Sequence, residues 1–364
     1  MMTVLSVAYS AAPVLQDSVG GAEQILEIID SYLVARNIKS VVVACAGSRV
    51  AGELVSFPGI TNHLDDEALA AAQRHCAMAV RKAIEKHRPD IVHMHGLDFD
   101  KTIPPTGVPV LVTLHLPLDW YAEGALNSGR PQTWFNCVSR SQHRGARTSG
   151  RLLSPVFNGI RLERASESKA VRVAPSKHNY VLALGRICPE KNFHESMEAA
   201  ARAGVPMFLA GNVFPYEEHE RYFEREIRPR LSRTIRFLGP VAGARKQRLL
   251  AGARALLISS RAPETSSLVA MEALAAGTPV IAYPSGALPE VVDHGRTGFL
   301  VRSPSEMADA ICRIDDISPA ECRQEAQCRF SGDRMARQYF QIYQRLALPG
   351  RRGLLHARVR QPFV

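Results

Sequence analysis

The sequence predicts an α/β protein of two consecutive domains, each with a parallel sheet covered by helices on both faces. At 364 residues the chain exceeds the size of one typical hydrophobic core. Apolar, β-branched runs alternate with helical patterns through both halves, which is typical of βαβ units in doubly wound, Rossmann-like sheets. The alternation stops in a polar, proline-punctuated stretch at 158–177 and then restarts. We therefore expect two Rossmann-like domains joined by a linker.

The N-terminal half contains five apolar runs with the length and composition of buried strands. They lie at 3–8, 40–44, 91–95, 110–113 and 134–138, and helical patterns occupy 22–35 and 67–87. The first run begins an apolar stretch at 4–15 that no Lys or Arg precedes. We therefore interpret it as a buried strand and not as a secretion signal.

The C-terminal half repeats this organisation. Its predicted strands lie at 180–184, 206–210, 234–238, 255–259 and 280–282, with helices at 193–203, 217–231, 244–251 and 266–275. A last helix is predicted by an apolar stripe of Met335, Tyr339, Ile342, Tyr343 and Leu346. The predicted boundaries are an N-terminal domain at 1–160, a linker at 161–178, a C-terminal domain at 179–330, a closing helix at 331–347 and a basic tail at 348–364.

The net charge of +10 is concentrated near the C-terminus, because the chain has seven arginines and no acidic residue after Asp333. Such a tail either contacts anionic lipid or is solvated, and the remaining chain has too little excess charge to predict nucleic-acid binding. The seven cysteines are scattered without a CxxC pair, so neither a disulfide framework nor a zinc site is predicted. No apolar run reaches the roughly 18 to 20 residues of a membrane helix. We expect a cytoplasmic protein, with the inner face of the membrane as the place where the tail makes peripheral contact.

Glu264 and Glu272 are the most informative pair of residues in the chain. Ser266 and Ser267 can cap a helix, good helix formers follow them, and Gly277 ends the pattern. Glu264 therefore lies in the loop before the helix and Glu272 within the helix, eight positions on and roughly 12 Å away. The helix N-terminus between them favours a phosphate. A carboxylate, a group of free amides and a second carboxylate match the sugar, diphosphate and ribose of an activated sugar.

Other candidate residues follow predicted strands, at the edge where parallel sheets bind ligands. Gly20 and Gly21 open the first helix and allow close approach to the backbone. Arg186 and Lys191 lie between a strand and a helix of the second half, where two cations neutralise a diphosphate. His115 follows the fourth N-terminal strand and reaches the same cleft.

These segments resemble the signature of the family 4 retaining glycosyltransferases. The shared patterns are the glutamate pair with its Ala-Leu-Ala-Ala-Gly-Thr-Pro-Val-Ile run at 273–281, Gly-Arg and Pro-Glu-Lys-Asn within 185–192, Asn-Gly-Ile at 158–160 and Pro-Glu-Val-Val at 289–292. The resemblance implies the GT-B architecture, in which two Rossmann-like domains face each other across a cleft and the last helix returns to the N-terminal domain. The chain departs from the family at Ser266 and Ser267, where Phe-Gly is usual.

The resemblance also implies a reaction. A sugar is transferred from a UDP- or GDP-linked donor to an acceptor hydroxyl with retention, without a metal or other cofactor. Glu264 is the expected catalytic carboxylate and His115 the expected contact to the transferred sugar. The expected donor-binding residues are Gly21, Arg186, Lys191, Ser266, Ser267, Leu268, Val269 and Glu272, with Glu272 at the ribose. The acceptor is a sugar, a lipid-linked molecule or a small molecule, in the synthesis of glycans, glycolipids or cell-envelope polysaccharide.

Some patterns have simpler interpretations. The DxD formed by Asp98 and Asp100 is the metal motif of another glycosyltransferase fold and is expected here by chance. His93 and His95 are interpreted as packing and edge residues, and Glu290 as a residue that fixes a loop. Arginines spaced for one helical face, at 140, 144, 147 and 151, form either a solvated stripe or a contact to an anionic acceptor or lipid.

Two alternative functions stay open. A nucleotide-sugar epimerase on the same fold would bind the same donor, but it would not need an acceptor. A non-catalytic nucleotide-sugar-binding protein would bind the donor without turnover.

Overall fold

The computed structural model describes residues 2–347, apart from 17, 19, 61–64, 128, 148–150 and 163–176. Most of the predicted linker and the whole of the predicted basic tail lie outside these described residues.

The N-terminal half forms a six-stranded parallel sheet in the order β3-β2-β1-β4-β5-β6. Its strands are β1 (Thr3–Val7), β2 (Lys39–Cys45), β3 (Glu53–Phe57), β4 (Ile91–Met94), β5 (Val110–Leu114) and β6 (Thr133–Cys137). All residues of β1, β4 and β5 are buried, because helices cover both faces of the sheet. The winding direction reverses between β1 and β4, so a crevice opens at the carboxyl ends of these strands.

The C-terminal half repeats the same winding in a second parallel sheet, in the order β12-β11-β10-β7-β8-β9. Its strands are β7 (Val181–Leu184), β8 (Met207–Ala210), β9 (Ile235–Phe237), β10 (Ala255–Ile258), β11 (Val280–Ala282) and β12 (Gly298–Leu300). The reversal lies between β7 and β10. The predicted α/β class with two Rossmann-like sheets is therefore confirmed.

Twelve α-helices occur in the described part of the chain. They are α1 (Gly21–Val34), α2 (Asp66–His87), α3 (Phe99–Thr102), α4 (Arg140–Gly145), α5 (Phe193–Arg202), α6 (Glu217–Tyr222), α7 (Gly243–Gly252), α8 (Leu268–Ala275), α9 (Leu288–Val291), α10 (Pro304–Cys312), α11 (Pro319–Arg329) and α12 (Gly332–Ala347). A π turn at Phe223–Ile227 and a 3₁₀ turn at Arg228–Arg230 follow α6 directly. Together the three segments account for the helix predicted at 217–231. None of the helices in the described ranges has both the length and the apolar character needed to cross a bilayer.

The structure differs from the sequence prediction in short or peripheral elements. The edge strands β3 and β12 and the helices α3, α4, α9, α10 and α11 add to those predicted. β12 has only three residues, and β3 is mostly half-buried or exposed, so neither shows a continuous apolar run. The four arginines do not share one helix, because α4 ends at Gly145 and leaves Arg147 and Arg151 beyond it.

The last helix, α12, packs on the N-terminal domain. Its buried residues Met335, Ala336, Tyr339 and Tyr343 share one hydrophobic core with α1 and with strands of the first sheet. The predicted return of the C-terminal helix is therefore confirmed.

The chain crosses between the domains twice at one place. Ile160 N donates to Phe330 O at 2.8 Å, and Gly332 N donates to Ile160 O at 2.9 Å. At Gly159 a Cβ atom would stand 2.6 Å from Ser331 O, so the two crossings approach too closely for any larger residue. The outgoing and returning segments therefore lie against each other where the chain passes between the domains.

Candidate active site

Glu264 lies in the loop between β10 and α8, at the carboxyl edge of the second sheet. The loop before α9 holds it, since Ala287 N donates to Glu264 O at 2.7 Å. Gly286, with φ of 58°, packs so closely that a Cβ atom would stand 2.5 Å from Glu264 N. Backbone contacts on a rigid sheet edge therefore set the position of Glu264.

The Glu264 carboxylate contacts two donors of its own domain. Lys191 Nζ donates to Oε1 at 2.5 Å, and Ser260 Oγ donates to the same oxygen at 2.6 Å. Burial alone raises the pKa of this carboxyl, but the charge of Lys191 and the two hydrogen bonds outweigh burial and lower the pKa below its ordinary value. The site therefore contains an oriented, ionised carboxylate at neutral pH.

The first turn of α8 has no side-chain cap. Ser267 occupies the N-cap position without a capping hydrogen bond, so the predicted capping by Ser266 or Ser267 is wrong. Ser267 has φ of 143°, in a region that favours glycine and is strained for serine. Ser266 has a buried Oγ with no hydrogen-bond partner among the described residues. An uncapped turn with the amides of Leu268 and Val269 suits an anionic group.

Glu272 lies one turn further along α8 and pairs with Lys246 of α7. Lys246 Nζ and Glu272 Oε1 are 2.7 Å apart, and the two side chains are 21% and 20% exposed. Among the described residues the second Glu272 oxygen accepts no hydrogen bond, so it can accept hydrogen bonds from a ligand.

Arg186 follows β7 and lies beside the N-terminal domain. Its Cζ is 5.9 Å from the centroid of the Trp120 indole, which is a cation–π contact between domains. Burial, Lys191 and Ser260 have larger effects on the pKa of Glu264 than Arg186 has. The charge of Arg186 nevertheless lowers this pKa further, so Arg186 acts on the Glu264 carboxylate. The two predicted cations thus lie on the same side of the cleft as Glu264.

The N-terminal domain meets this site through two of the predicted residues. Thr265 Oγ1 donates to His115 O across the cleft at 2.8 Å. At Gly21 a Cβ atom would stand 3.3 Å from Leu268 Cδ1, so the start of α1 lies against the start of α8. The structure therefore brings the predicted residues of both domains together around the loop that carries Glu264.

His115 belongs to a chain of buried polar side chains. Its Nε2 lies 3.0 Å from His95 Nδ1, and the rings of His95 and His93 are 3.9 Å apart. His93 Nδ1 is 2.6 Å from Tyr343 OH of α12, and its Nε2 is 2.7 Å from Thr113 Oγ1. These contacts fit the interpretation of His93 and His95 as packing and edge residues, and together the two histidines connect the last helix to the cleft.

Burial keeps these histidines neutral. It lowers the pKa of His115 from 6.5 to about 3, and it lowers the pKa of His93 and His95 well below the same ordinary value. His115 Nδ1 is buried without a hydrogen-bond partner in the described part of the chain. A neutral imidazole with a free ring nitrogen suits a sugar hydroxyl and not a phosphate.

The neutral histidines make the fold sensitive to acid. Because the pKa of His115 falls on folding, the unfolded chain binds more protons between about pH 3 and 6.5, so stability rises with pH across this window. We expect the free energy of unfolding to fall on acidification below pH 6.5 by about 1.4 kcal/mol per pH unit for each such histidine. Urea unfolding at several pH values measures this slope. His115→Gln should remove one histidine's share, and an unchanged slope would contradict the assignment.

The DxD pair is engaged in other contacts. Asp98 is buried and accepts a hydrogen bond from Ser10 Oγ, while Asp100 pairs with the neighbouring Lys101 at 2.9 Å. These contacts favour the interpretation that the motif occurs by chance.

Glu290 holds a loop of the opposite domain. Its carboxylate accepts hydrogen bonds from Arg140 N at 2.9 Å and Ser141 N at 2.5 Å, at the start of α4. Glu290 therefore fixes the two domains relative to each other at this point.

Four residues of the site are absent from the predicted set. Ser260 and Thr265 could have been proposed, because they follow β10 at the ligand-binding edge next to Glu264. Lys246 and Trp120 have no such signal, since their contacts depend on how a helix and a domain pack against the site.

The arrangement combines three chemical capacities. Arg186, Lys191 and the uncapped turn of α8 form a place that suits a dianionic group. Glu264 places a negative charge next to them, of the kind that can stabilise a developing positive charge. His115 contributes a neutral hydrogen-bonding group from the opposite domain. This combination suits cleavage of a bond between a sugar and a diphosphate.

Two family models match the chain. The model described as Glycosyltransferase Family 4 matches residues 19–149, and the model described as Glycosyl transferases group 1 matches residues 178–316. The two matches lie in the two Rossmann-like halves.

Similar proteins include two bacterial enzymes. D-inositol 3-phosphate glycosyltransferase of Corynebacterium jeikeium is 35% identical over 130 residues, which are 34% of this chain and 31% of that protein. The match therefore spans about a third of the length of this relative. Glycogen synthase of Mycobacterium tuberculosis is 27% identical over 323 residues, which are 76% of this chain and 73% of that protein.

A solved structure shares the whole fold. Anabaena HepE in complex with UDP and glucose matches with a TM-score of 0.68 at 20% identity, over 94% of this chain and 100% of that chain.

Proposed function

This chain belongs to glycosyltransferase family 4 and has the GT-B fold, and we propose that it transfers a sugar from a nucleoside-diphosphate sugar to an acceptor hydroxyl with retention. One observation carries the proposal. The ionised Glu264 carboxylate is held by Lys191 and Ser260 beside the uncapped start of α8, and the same loop contacts His115 of the opposite domain.

Most of the charged and hydrogen-bonding groups of the site are assigned to the leaving diphosphate. Arg186 and Lys191 neutralise its charge, and the amides of residues 267–269 donate hydrogen bonds to its oxygens. Such preorganised donors stabilise the diphosphate most strongly as it departs. We propose that this set makes a metal cofactor unnecessary for the transfer.

Glu264 acts on the sugar. As the bond to the diphosphate breaks, the sugar ring gains positive charge, and a fixed carboxylate next to it stabilises that charge. His115 holds a sugar hydroxyl from the opposite wall. A donor phosphate oxygen takes the proton of the acceptor hydroxyl, which attacks from the side that the diphosphate leaves. No protein nucleophile is needed in this sequence.

The donor is proposed to be UDP- or GDP-linked. The UDP and glucose complex of HepE supports this class of ligand, as does the sequence spacing between Glu264, in the loop before α8, and Glu272, within α8. Thermal-shift measurements with UDP-, GDP- and ADP-sugars test it, since a ligand at 100 times its Kd stabilises the fold by about 2.7 kcal/mol. No shift with any of these sugars would contradict the proposal.

The acceptor is proposed to be a sugar, a lipid-linked molecule or a small molecule with a free hydroxyl. With the donor identified, nucleotide release is measured with and without a panel of such acceptors. Release that depends on an acceptor supports transfer. Acceptor-independent conversion of the donor indicates an epimerase, and tight donor binding without turnover indicates a non-catalytic binding protein.

We expect Glu272→Ala to raise the donor KM by about tenfold with little change in kcat, because a ribose contact is equal in the ground state and the transition state. Steady-state kinetics with varied donor measure this. Lys246→Ala is the matched control, since it breaks the same ion pair but keeps the carboxylate. Equal KM changes in both variants would show that the ion pair matters and the ribose contact does not.

A further inference from the structure

Three side chains with metal-binding atoms cluster on the C-terminal domain, between β7 and α6. Cys188 directly precedes the 3₁₀ turn Pro189–Lys191, Glu190 is the central residue of that turn, and His219 lies in α6. One candidate ligand atom from each residue lies within 4.8 Å of the other two.

Two of these side chains contain buried atoms without a partner. Glu190 Oε2 and His219 Nδ1 have no hydrogen bond within the described part of the chain, and His219 is only 7% exposed. Cys188 is fully buried, and its thiol has hydrogen-bonding contacts to Arg186 O, at 3.6 Å, and to the Glu190 side chain. Buried polar atoms in folded proteins are usually satisfied, so Glu190 Oε2 and His219 Nδ1 point to a partner that the described residues do not supply.

A thiol, an imidazole and a carboxylate are the ligand types of zinc, and three protein ligands leave one coordination position open. Ligand atoms in a tetrahedral zinc site lie roughly 3.3 to 3.8 Å apart, as follows from metal–ligand distances of about 2.0 to 2.3 Å, so small side-chain movements complete the site. The thiolate and the carboxylate together carry two negative charges. These charges offset the positive charge of the nearby Arg186, which would otherwise repel a cation. Magnesium and calcium fit poorly, because they take oxygen ligands.

We propose that Cys188, Glu190 and His219 bind a thiophilic divalent cation of the zinc class. Cysteine spacing alone does not predict this site, because its ligands come from a turn and from a separate helix.

The site acts on the turn that carries Lys191. Glu190 is the neighbour of Lys191, whose ammonium contacts Glu264 at 2.5 Å. A bound cation ties Cys188, just before this turn, and Glu190, at its centre, to α6 and so holds Lys191 in place. Metal binding must also displace the thiol proton, since burial raises the pKa of Cys188 to about 11, with a further increase from Glu190.

Cobalt(II) titration of the full chain tests the proposal without any assay of sugar transfer. A thiolate bound to cobalt gives a near-ultraviolet charge-transfer band. All titrations use a background variant in which Cys312→Ser and Cys328→Ser remove the two exposed thiols, and the other substitutions are added to it. We expect one equivalent of cobalt to produce the band and zinc to abolish it. Cys188→Ser should eliminate the band, and His219→Gln should weaken cobalt binding at least about 100-fold, since even outer-shell changes weaken metal binding 10- to 100-fold.

Absence of the band in the background variant, or a band that Cys188→Ser does not alter, would overturn the proposal. Circular dichroism without metal establishes that each variant is folded. Should Cys188→Ser fail to fold, Glu190→Gln decides by the same titration, because it keeps the shape of the side chain and removes one charged ligand. Cobalt affinity unchanged in both Glu190→Gln and His219→Gln would also refute the site. Because the readout is metal binding, its failure leaves the proposed transfer reaction untouched.

Discussion

Glu264→Gln is expected to lower kcat by about 10²- to 10³-fold while the donor KM changes less than about threefold. Glutamine keeps the shape of the side chain and still accepts a hydrogen bond from Ser260, but it has no negative charge to stabilise the sugar as positive charge develops. Loss of one preorganised electrostatic group at a reacting centre has an effect of this size. Steady-state kinetics with the identified donor and acceptor measure both constants.

Glu198→Gln is the matched control, because Glu198 forms an exposed ion pair with Arg202 and no part of the site. Similar small effects of the two substitutions would refute the role of Glu264. A double-mutant cycle with Lys191→Met separates two explanations. If Glu264 only positions Lys191, the double variant will be no slower than either single variant, whereas independent roles make the losses multiply.

Tyr343→Ala is expected to destabilise the N-terminal domain by about 3–5 kcal/mol. Tyr343 is fully buried on α12, and its hydroxyl contacts His93 at 2.6 Å. The substitution leaves a cavity and also an unpaired buried imidazole nitrogen. Both tryptophans of the chain, Trp120 and Trp134, lie in this domain, so urea unfolding followed by fluorescence reports its stability selectively.

Gln344→Ala on the same helix is the control, since Gln344 is exposed and should change stability by less than about 0.5 kcal/mol. Tyr343→Phe isolates the hydroxyl and should destabilise by about 1–3 kcal/mol. If Tyr343→Ala and Gln344→Ala unfold at the same urea concentration, α12 does not support the N-terminal domain.

Much of this fold is predictable because buried parallel strands are continuous apolar runs. All ten predicted strands are present in the two sheets. The sequence does not predict β3, because an edge strand such as Glu53–Phe57 is covered only in part and therefore tolerates polar residues. The arginine spacing after residue 140 looks helical, yet α4 stops at Gly145, where glycine weakens the helix.

The site was predictable where position along a strand and residue type agree. Arg186, His115 and Glu264 each follow a strand at the ligand-binding edge, and the structure brings them to one cleft. The ion pair between Lys246 and Glu272 depends on the packing of α7 against α8, which leaves no local pattern. Ser267 shows the opposite failure. Serine often caps a helix, but this one has a φ of 143°, and its side chain makes no capping hydrogen bond to the helix amides.

The path of α12 makes the order of synthesis matter. The N-terminal core takes residues from positions 335 to 343, so it stays incomplete while the whole second domain is being translated. At 5–20 residues per second this interval lasts roughly 9–40 s, during which the apolar face of α1 has no cover from the last helix. A ribosome that stalls within the second domain therefore releases two unfinished domains instead of one finished and one unfinished.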